Sequence, residues 1–273
     1  MGLELHELSF SYGFKDKSAP TLKQVNMKVE PGKLCVLYGQ SGSGKSTLAY
    51  LAAGLLKADE GSVLLDGSPI EAGMVGMVFQ NAEQQLFAES VYEEVAFGPK
   101  NLGLHAKAVH ERVHTALELV GLDPNVYEER SPFSLSGGEA KRLAIASVIA
   151  MDPSYYIFDE PTAGLDGRAI ALFLRLLTKL LDQGKGIILI SHELDWFLDY
   201  LDYIYLMHEG ALSFAGSFAE LLDNLDVCKQ ANLKLPYILE LYDDLRKLGY
   251  QVPKPVNAES LATFLVHLRD SHA

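Results

Sequence analysis

The chain has 273 residues, 48% of them hydrophobic, and a formal net charge of -13. This length allows one large domain with a small appendage, and so acidic a chain would repel a phosphodiester backbone, so a nucleic-acid partner is not expected. Cys35 and Cys228 have no metal-ligand spacing and fit a cytosolic protein with reduced thiols. The sequence shows no signal peptide and no apolar run of ~20 residues, so a membrane role would have to act through a partner.

Strand patterns dominate the first part of the chain. "LELHELSFSY" and "LKQVNMKVE" are predicted strands, and "KLCVLYG" is a buried strand that leads through a glycine-rich loop into the helix "KSTLAYLAAGLL". "GSVLLDG" and "VGMVFQ" predict two more strands, Ser90 to Ala150 is helical, and strands then alternate with helices as far as a helix from Phe218. This alternation predicts an α/β fold with a parallel sheet and a separate helical lobe at about 84–150.

The character of the chain changes again near Asp226. Two amphipathic helices are predicted there, with apolar residues at helical spacing: Ile238, Leu241, Tyr242, Leu245 and Leu248 in the first, and Leu261, Phe264, Leu265 and Leu268 in the second. Such helices cover either the main domain or a second subunit, and we expect the second: stripes exposed on an isolated subunit, which would make them an interface. The predicted division is a main domain at 1–224 and a helical dimerisation extension at 225–273.

The glycine-rich loop matches G-x-x-x-x-G-K-[ST] in full, between a predicted strand and a predicted helix. Lys45 is placed to reach the β- and γ-phosphates of a nucleotide, and the Ser46 hydroxyl to ligate Mg²⁺. The alternative is a glycine-rich turn with a chance lysine. The predicted ATP-binding residues of this loop are Gly39, Gln40, Ser41, Gly42, Ser43, Gly44, Lys45, Ser46 and Thr47.

Three later strands also end in polar residues. In "YYIFDE", Asp159 is placed to hold Mg²⁺ through water and Glu160 to polarise an attacking water, although two acids also end many ordinary strands. His192 ends "ILISHE" and would contact the γ-phosphate, against a structural role. Gln80 ends "MVFQ" and would sense the γ-phosphate and the metal, or it is an exposed amide in a loop.

The stretch "LSGGE" opens a long predicted helix almost a hundred residues after the first phosphate loop. Ser136, Gly137 and Gly138 would expose backbone N–H groups at a helix start, which is an anion site. The alternative is a serine N-cap followed by two flexible glycines.

The P-loop, "FQ", "LSGGE", "FDEPTAGLD" and "SH", in this order, resemble the nucleotide-binding subunits of ATP-binding cassette (ABC) transporters over roughly residues 3–220. The resemblance implies a P-loop NTPase core with an antiparallel β subdomain, a helical signature subdomain and a small C-terminal extension, working as a head-to-tail dimer with ATP and Mg²⁺. Ser136, Gly137 and Gly138 would then bind the γ-phosphate of the ATP held by the second subunit. Leu165 and Asp166 would form the D-loop at the dimer interface, and Tyr12 would stack on adenine.

The signature departs from the family pattern at its fifth position, where Glu139 replaces the usual glutamine. A carboxylate beside a triphosphate would repel it unless it faces away or is paired. We expect Lys141 and Arg142 to screen the charge, and hydrolysis to be slower or more tightly gated.

A narrower resemblance is to the ATPase subunits of energy-coupling factor (ECF) transporters, carried by "QNAEQQLFAESVYEEVAFGPKNLGL" and by the tail "LPYILELYDDLRKLGYQVP". It implies a peripheral protein at the cytoplasmic membrane face that energises import of vitamins or transition-metal ions, together with a membrane scaffold and a substrate-binding membrane protein. By the same resemblance, Glu89, Glu93 and Glu94 would form a surface for basic coupling helices of the scaffold. The alternative is a solvated acidic helix face.

Two further classes compete with a transporter. A soluble non-transport ABC ATPase that energises a cytosolic assembly shares all these motifs. Chromosome-maintenance ATPases carry a long coiled coil between the P-loop and the signature. This class is not favoured, because the ~90 residues between the two motifs here hold no sustained heptads. The sequence leaves open the cargo and whether the second subunit is identical or paralogous.

Overall fold

A computed structural model describes residues 2–13, 20–252 and 257–271. Within these ranges the strands are β1 (Leu3–Phe10), β2 (Leu22–Val29), β3 (Leu34–Gly39), β4 (Glu60–Leu65), β5 (Ser68–Pro69), β6 (Val75–Val78), β7 (Tyr155–Asp159), β8 (Gly186–Ile190), β9 (Tyr203–His208) and β10 (Ala211–Ser217).

The helices over the same ranges are α1 (Lys45–Ala52), α2 (Val91–Asn101), α3 (Ala106–Leu119), α4 (Pro124–Tyr127), α5 (Gly137–Ile149), α6 (Gly167–Asp182), α7 (Phe218–Leu222), α8 (Asp226–Gln230), α9 (Tyr237–Lys247) and α10 (Ala258–Ser271). Short 3₁₀ helices lie at Ala82–Gln85, Pro132–Ser134 and Leu194–Trp196. The predicted strands and longer helices occur in the predicted order, β5, α4 and α8 were not predicted, and α1 ends earlier than the helix predicted from "KSTLAYLAAGLL".

The described strands form two sheets. An antiparallel sheet has the order β2-β1-β4-β5, and a six-stranded sheet has the order β10-β9-β3-β8-β7-β6, in which only β10 runs antiparallel to its neighbour. Because β3, β8, β7 and β6 are parallel neighbours, their carboxyl ends meet at one edge, where ligands of such sheets bind. The predicted α/β class with an antiparallel β subdomain and a helical lobe is confirmed.

The alternation of side chains along β3 explains the two cores. Leu34, Val36 and Tyr38 face one hydrophobic cluster, shared with α2, α3, α5 and α6. Cys35 and Leu37 face the other, which fills the space between the two sheets and includes α1. A strand buried on both faces carries apolar residues at every position, which is the pattern of "LCVLY".

The C-terminal segment packs on the catalytic domain. Leu239, Tyr242 and Leu245 of α9 and Leu261 of α10 are buried in the same cluster as the large sheet. The expectation that both stripes are exposed on an isolated subunit is therefore wrong for Tyr242, Leu245 and Leu261. The sequence pattern also missed Leu239, because helical spacing alone does not determine which face of the helix packs against the rest of the chain.

Within the described ranges, no helix combines the length and apolar character that crossing a bilayer requires.

Candidate active site

The P-loop joins β3 to α1 and keeps the helix start open. Gly42 and Gly44 have positive φ angles of 80° and 104°, and a side chain on Gly44 would meet Leu22 at 2.8 Å. In the described chain no side chain caps the first N–H groups of α1. These N–H groups are therefore available to an anion, as the sequence motif predicts.

Lys45 is already turned into its own loop. Its Nζ donates to the carbonyl oxygens of Gly39 at 2.7 Å and of Gln40 at 2.8 Å. Burial lowers the pKa of Lys45, while the charges of Glu160 and Asp159 raise it. An ammonium group held at the base of an open anion site is the arrangement that neutralises a phosphate chain.

Ser46 and Asp159 bring together two oxygen ligands from different motifs. Ser46 Oγ donates to Asp159 Oδ2 at 2.9 Å. Burial raises the pKa of Asp159, and the Ser46 hydrogen bond and the charge of Lys45 lower it. A hydroxyl beside a carboxylate, with Gln80 lining the same cleft, fits the oxygen donors that Mg²⁺ prefers.

Glu160 is the next residue and has a different environment. Its backbone φ is 49°, a conformation that costs energy in a residue with a side chain. In the described part of the chain its buried Oε1 atom has no hydrogen-bond partner, although His192 Nε2 lies 3.4 Å from it. Burial raises the pKa of Glu160, and the His192 charge lowers it. The unpartnered oxygen is a ready acceptor for a water molecule.

These residues line one cleft of about 340 Å³. Its described lining is Thr21, Ser41, Gly42, Gly44, Lys45, Ser46, Thr47, Gln80, Asp159, Glu160, Ile190 and His192. The sequence predicted most of this set, because the motif residues follow parallel strands. Thr21 and Ile190 were missed, since no motif marks them.

Tyr12 lies next to the same loop. Its ring is 61% exposed and makes an edge contact with Phe10 at 4.9 Å between centroids. Thr47 Oγ1 donates to the Tyr12 hydroxyl at 3.3 Å. An exposed ring anchored beside the P-loop helix can stack on a base.

The signature residues lie at a second helix start. Ser136 caps α5, and its backbone N–H and its hydroxyl donate to Glu139 Oε2 at 2.8 and 2.7 Å. Tyr127 donates to Glu139 Oε1 at 2.6 Å. The Tyr127 and Ser136 hydrogen bonds lower the pKa of Glu139 to about 2. Glu139 is therefore ionised and internally bound.

Among the described residues, neither Lys141 nor Arg142 forms an ion pair with Glu139, although Arg142 lines the same cavity. Lys141 Nζ donates to the carbonyl oxygens of Glu160 and Ala163, both at 2.8 Å. Arg142 donates to the carbonyl of Gly121 at 2.9 Å and to that of the preceding residue. The expected screening is therefore wrong for Lys141, which points to the turn after β7, because sequence proximity does not determine the direction of a helical side chain.

The D-loop adjoins the signature. A side chain on Gly138 would contact Leu165 at 3.8 Å, and Asp166 caps α6 by accepting from the Ala169 N–H at 2.8 Å. Ser136, Gly138, Leu165 and Asp166 line a cavity of about 550 Å³. Among described residues, this cavity shares none of its lining with the P-loop cleft.

The predicted coupling surface needs a correction. Glu89 and Glu93 are exposed, and Glu93 forms an ion pair with Lys100. Glu94 is only 5% exposed, and its Oε2 accepts from the N–H groups of Phe87 and Ala88, both at 2.9 Å. Glu94 is thus a buried support of this loop and not part of an exposed acidic surface.

Comparison with known proteins places these features in context. Residues 22–163 match the family model described as ABC transporter. The chain is 38% identical to the Energy-coupling factor transporter ATP-binding protein EcfA of Methanothermobacter thermautotrophicus, over 97% of this chain and 87% of the relative. It is 41% identical to the protein named EcfA2 of Symbiobacterium thermophilum, over 86% and 84%.

One solved structure is similar to this chain over most of its length. It is cbiO1 from Clostridium perfringens, described as part of the ABC transporter complex cbiONQ. The TM-score is 0.71 and the identity 34%, with 88% of this chain and 98% of that chain covered.

Proposed function

The chain belongs to the ABC transporter family, and from that premise we propose that it is the ATP-hydrolysing subunit of an ECF-type importer of vitamins or transition-metal ions. The observation that carries the proposal is the cleft in which Lys45, the Ser46–Asp159 pair and Glu160 meet. The similarity to ECF transporter ATP-binding proteins supports the importer class.

The hydrolytic step follows from the positions of these side chains. The free N–H groups of α1 and the Lys45 ammonium bind the phosphates. Ser46, Asp159 and Gln80 would hold Mg²⁺, which when bound offsets charge on the β- and γ-phosphates. Glu160 Oε1 accepts a hydrogen bond from the attacking water and orients it. His192, beside Glu160, is placed to contact the γ-phosphate.

A second ATPase subunit, identical or paralogous, completes the site. Ser136 and Gly138 line a cavity apart from the chain's own P-loop cleft, so the phosphate they bind belongs to a partner's ATP. Leu165 and Asp166, beside the signature, would lie at the same dimer interface. This head-to-tail arrangement is the proposal that best explains a second helix start that lies apart from the chain's own nucleotide cleft.

The membrane scaffold would dock on the loop between Gln80 and α2. Phe87 and Phe97 are exposed and stack edge to face at 4.9 Å, beside exposed Glu89 and Glu93. An aromatic pair rimmed by acids suits a basic amphipathic helix. Glu94 holds the backbone that presents this surface.

Reversal of two charges tests this surface. Glu89→Lys with Glu93→Lys should reduce assembly with the scaffold while ATP binding by the free subunit stays near normal. The control is Glu111→Lys, an exposed acid on α3. Normal assembly of the double variant would remove both residues from the coupling surface.

The C-terminal extension is proposed to support dimerisation. It also contacts the P-loop and the segment after β8 of its own chain. Gln40 Nε2 donates to the Asn232 carbonyl at 2.7 Å, and Asp195 accepts from the N–H groups of Tyr237 and Ile238 at 3.3 and 3.2 Å. Leu248 stays 74% exposed. Its replacement, Leu248→Asp, should weaken dimerisation without unfolding the chain, measured by sedimentation and by thermal melting.

The proposed function is tested on the complete membrane complex. We expect the chain to co-purify with membrane subunits. In vesicles that contain the complex, substrate uptake should occur only when ATP is present on the side of the membrane where this subunit lies. Replacement of Glu160 by Gln should stop uptake. A chain that fractionates with soluble proteins and hydrolyses ATP there would instead indicate the non-transport class.

A further inference from the structure

Lys141 is a buried cation that the hydrolytic mechanism above does not use. It lies one turn beyond the signature, on the inward face of α5, and is 5% exposed. Its Nζ donates to the carbonyl oxygens of Glu160 and Ala163. One side chain therefore connects the helix that carries the signature with the turn that carries the catalytic carboxylate.

Burying the Lys141 ammonium group costs desolvation free energy, which argues against a role in packing alone. Lys141 has no ion pair with any described carboxylate, and burial lowers its pKa. Buried ammonium groups without an ion pair are rare, because desolvation opposes the charge. The Glu83 carboxylate, in the 3₁₀ helix after Gln80, attracts Lys141, and its buried Oε2 has no described hydrogen-bond partner. The ammonium group thus contacts the turn after β7, and its helix packs against the 3₁₀ helix that carries Glu83.

The turn that Lys141 holds is conformationally strained. Glu160 has a φ of 49°, and such backbone persists only where the surroundings determine it. The Glu160 N–H donates to the Ile190 carbonyl at 2.9 Å, which fixes one side of the residue. Lys141 fixes the other side, by binding the Glu160 carbonyl, and the following Ala163 carbonyl leads directly to Leu165 of the D-loop.

From these contacts we propose that Lys141 is a positioning residue for ATP hydrolysis. It transmits the position of the signature helix, set by the partner's nucleotide, to Glu160 in the same chain. The inference rests on the proposed ATPase function. Without the Lys141 ammonium group, the Glu160 side chain is free to leave the geometry in which it orients water.

The test compares two replacements of Lys141 in the full-length chain within its complex. Lys141→Met keeps the stem and removes the donors, and kcat should fall by ~10-fold or more, as for a misplaced catalytic group, with KM and ATP affinity within about twofold of wild type. Lys141→Gln restores an N–H donor and should recover part of kcat. Lys107→Met is the matched control, since Lys107 is exposed on α3.

Thermal melting and trapping of the ATP-bound dimer separate positioning from folding. The proposal expects both variants to melt cooperatively and to form the ATP-bound dimer. A wild-type kcat in Lys141→Met, or equal losses in kcat and ATP affinity, would overturn it. If Lys141→Met fails to fold, Lys141→Gln decides: no loss of kcat would overturn the inference. Absence of hydrolysis by the wild-type complex would instead overturn the proposed function itself.

Discussion

Two helix N-termini in this chain are proposed to bind phosphate, and they differ in whether their N-terminal donors are already occupied. The start of α1 has no described side-chain cap, and Lys45 lies beneath it. The start of α5 is closed by Ser136 and the ionised Glu139. The first site can accept an anion as it stands, whereas at the second the anion must compete with a carboxylate for the Ser136 donors.

This difference separates binding from closure. On the proposed function, the open site would bind ATP without help, whereas the capped site would respond only when a partner loaded with ATP approaches. Hydrogen bonds to charged groups contribute ~1.5–3 kcal/mol, so the cap at α5 is a real competitor.

The largest effect is expected from Glu160→Gln, which keeps the size of the side chain and removes its charge. Hydrolysis should fall by ~10²-fold or more, as for loss of a general base, while ATP binding is retained. The variant should accumulate as an ATP-bound dimer, visible by size-exclusion chromatography. Glu111→Gln serves as the exposed control, and wild-type turnover in Glu160→Gln would contradict the assignment.

Lys45→Ala and Ser136→Arg separate the two anion sites. Loss of the Lys45 ammonium should weaken ATP binding by ~10–100-fold, measured by calorimetry on the free subunit, because a charge-assisted phosphate contact is lost. Ser136→Arg should leave binding by the free subunit intact and block hydrolysis in the complex. Equal loss of binding in both variants would show that the signature belongs to the chain's own nucleotide.

The sequence predicted the P-loop side of the comparison better than the signature side. Lys45, Ser46, Asp159 and Glu160 follow parallel strands, and sheet topology then forces their convergence. The contacts of Glu139 could not be predicted, because Tyr127 reaches it from α4 and no local pattern encodes that packing.

The burial of Lys141 could have been predicted from the sequence. In "GGEAKRLAIASVI" it lies three and four residues before Ala144 and Ile145, which are buried. A lysine on the apolar stripe of a helix indicates a buried, partnered cation. The same stripe logic did not show which partner the C-terminal extension would meet: Leu239, Tyr242, Leu245 and Leu261 are buried in the cluster beside the large sheet of their own chain.

The smallest effect is expected at Glu139, and it tests the competition at α5 directly. Glu139→Gln keeps a side chain that can complete the capping box but replaces a charged acceptor by a neutral one. Neutral hydrogen bonds are about half as strong, so the Ser136 hydroxyl is released more easily to a phosphate. We expect kcat/KM for ATP in the complex to rise by about two- to fivefold.

The chain supplies a matched control for this change at the start of α7. Ser217 and Glu220 form the same capping box, with the Ser217 N–H and hydroxyl donating to Glu220 Oε2 at 2.7 and 2.8 Å. Glu220→Gln alters the same Ser–Glu capping box, without the added Tyr127 hydrogen bond of Glu139, away from both cavities, and should leave kcat/KM unchanged. Both variants lose an anion at a helix N-terminus, so both should melt slightly earlier than wild type. A rise in kcat/KM confined to Glu139→Gln would identify the carboxylate as a competitor of the partner's phosphate. Equal kinetics in the two variants would show that the cap at α5 is only structural.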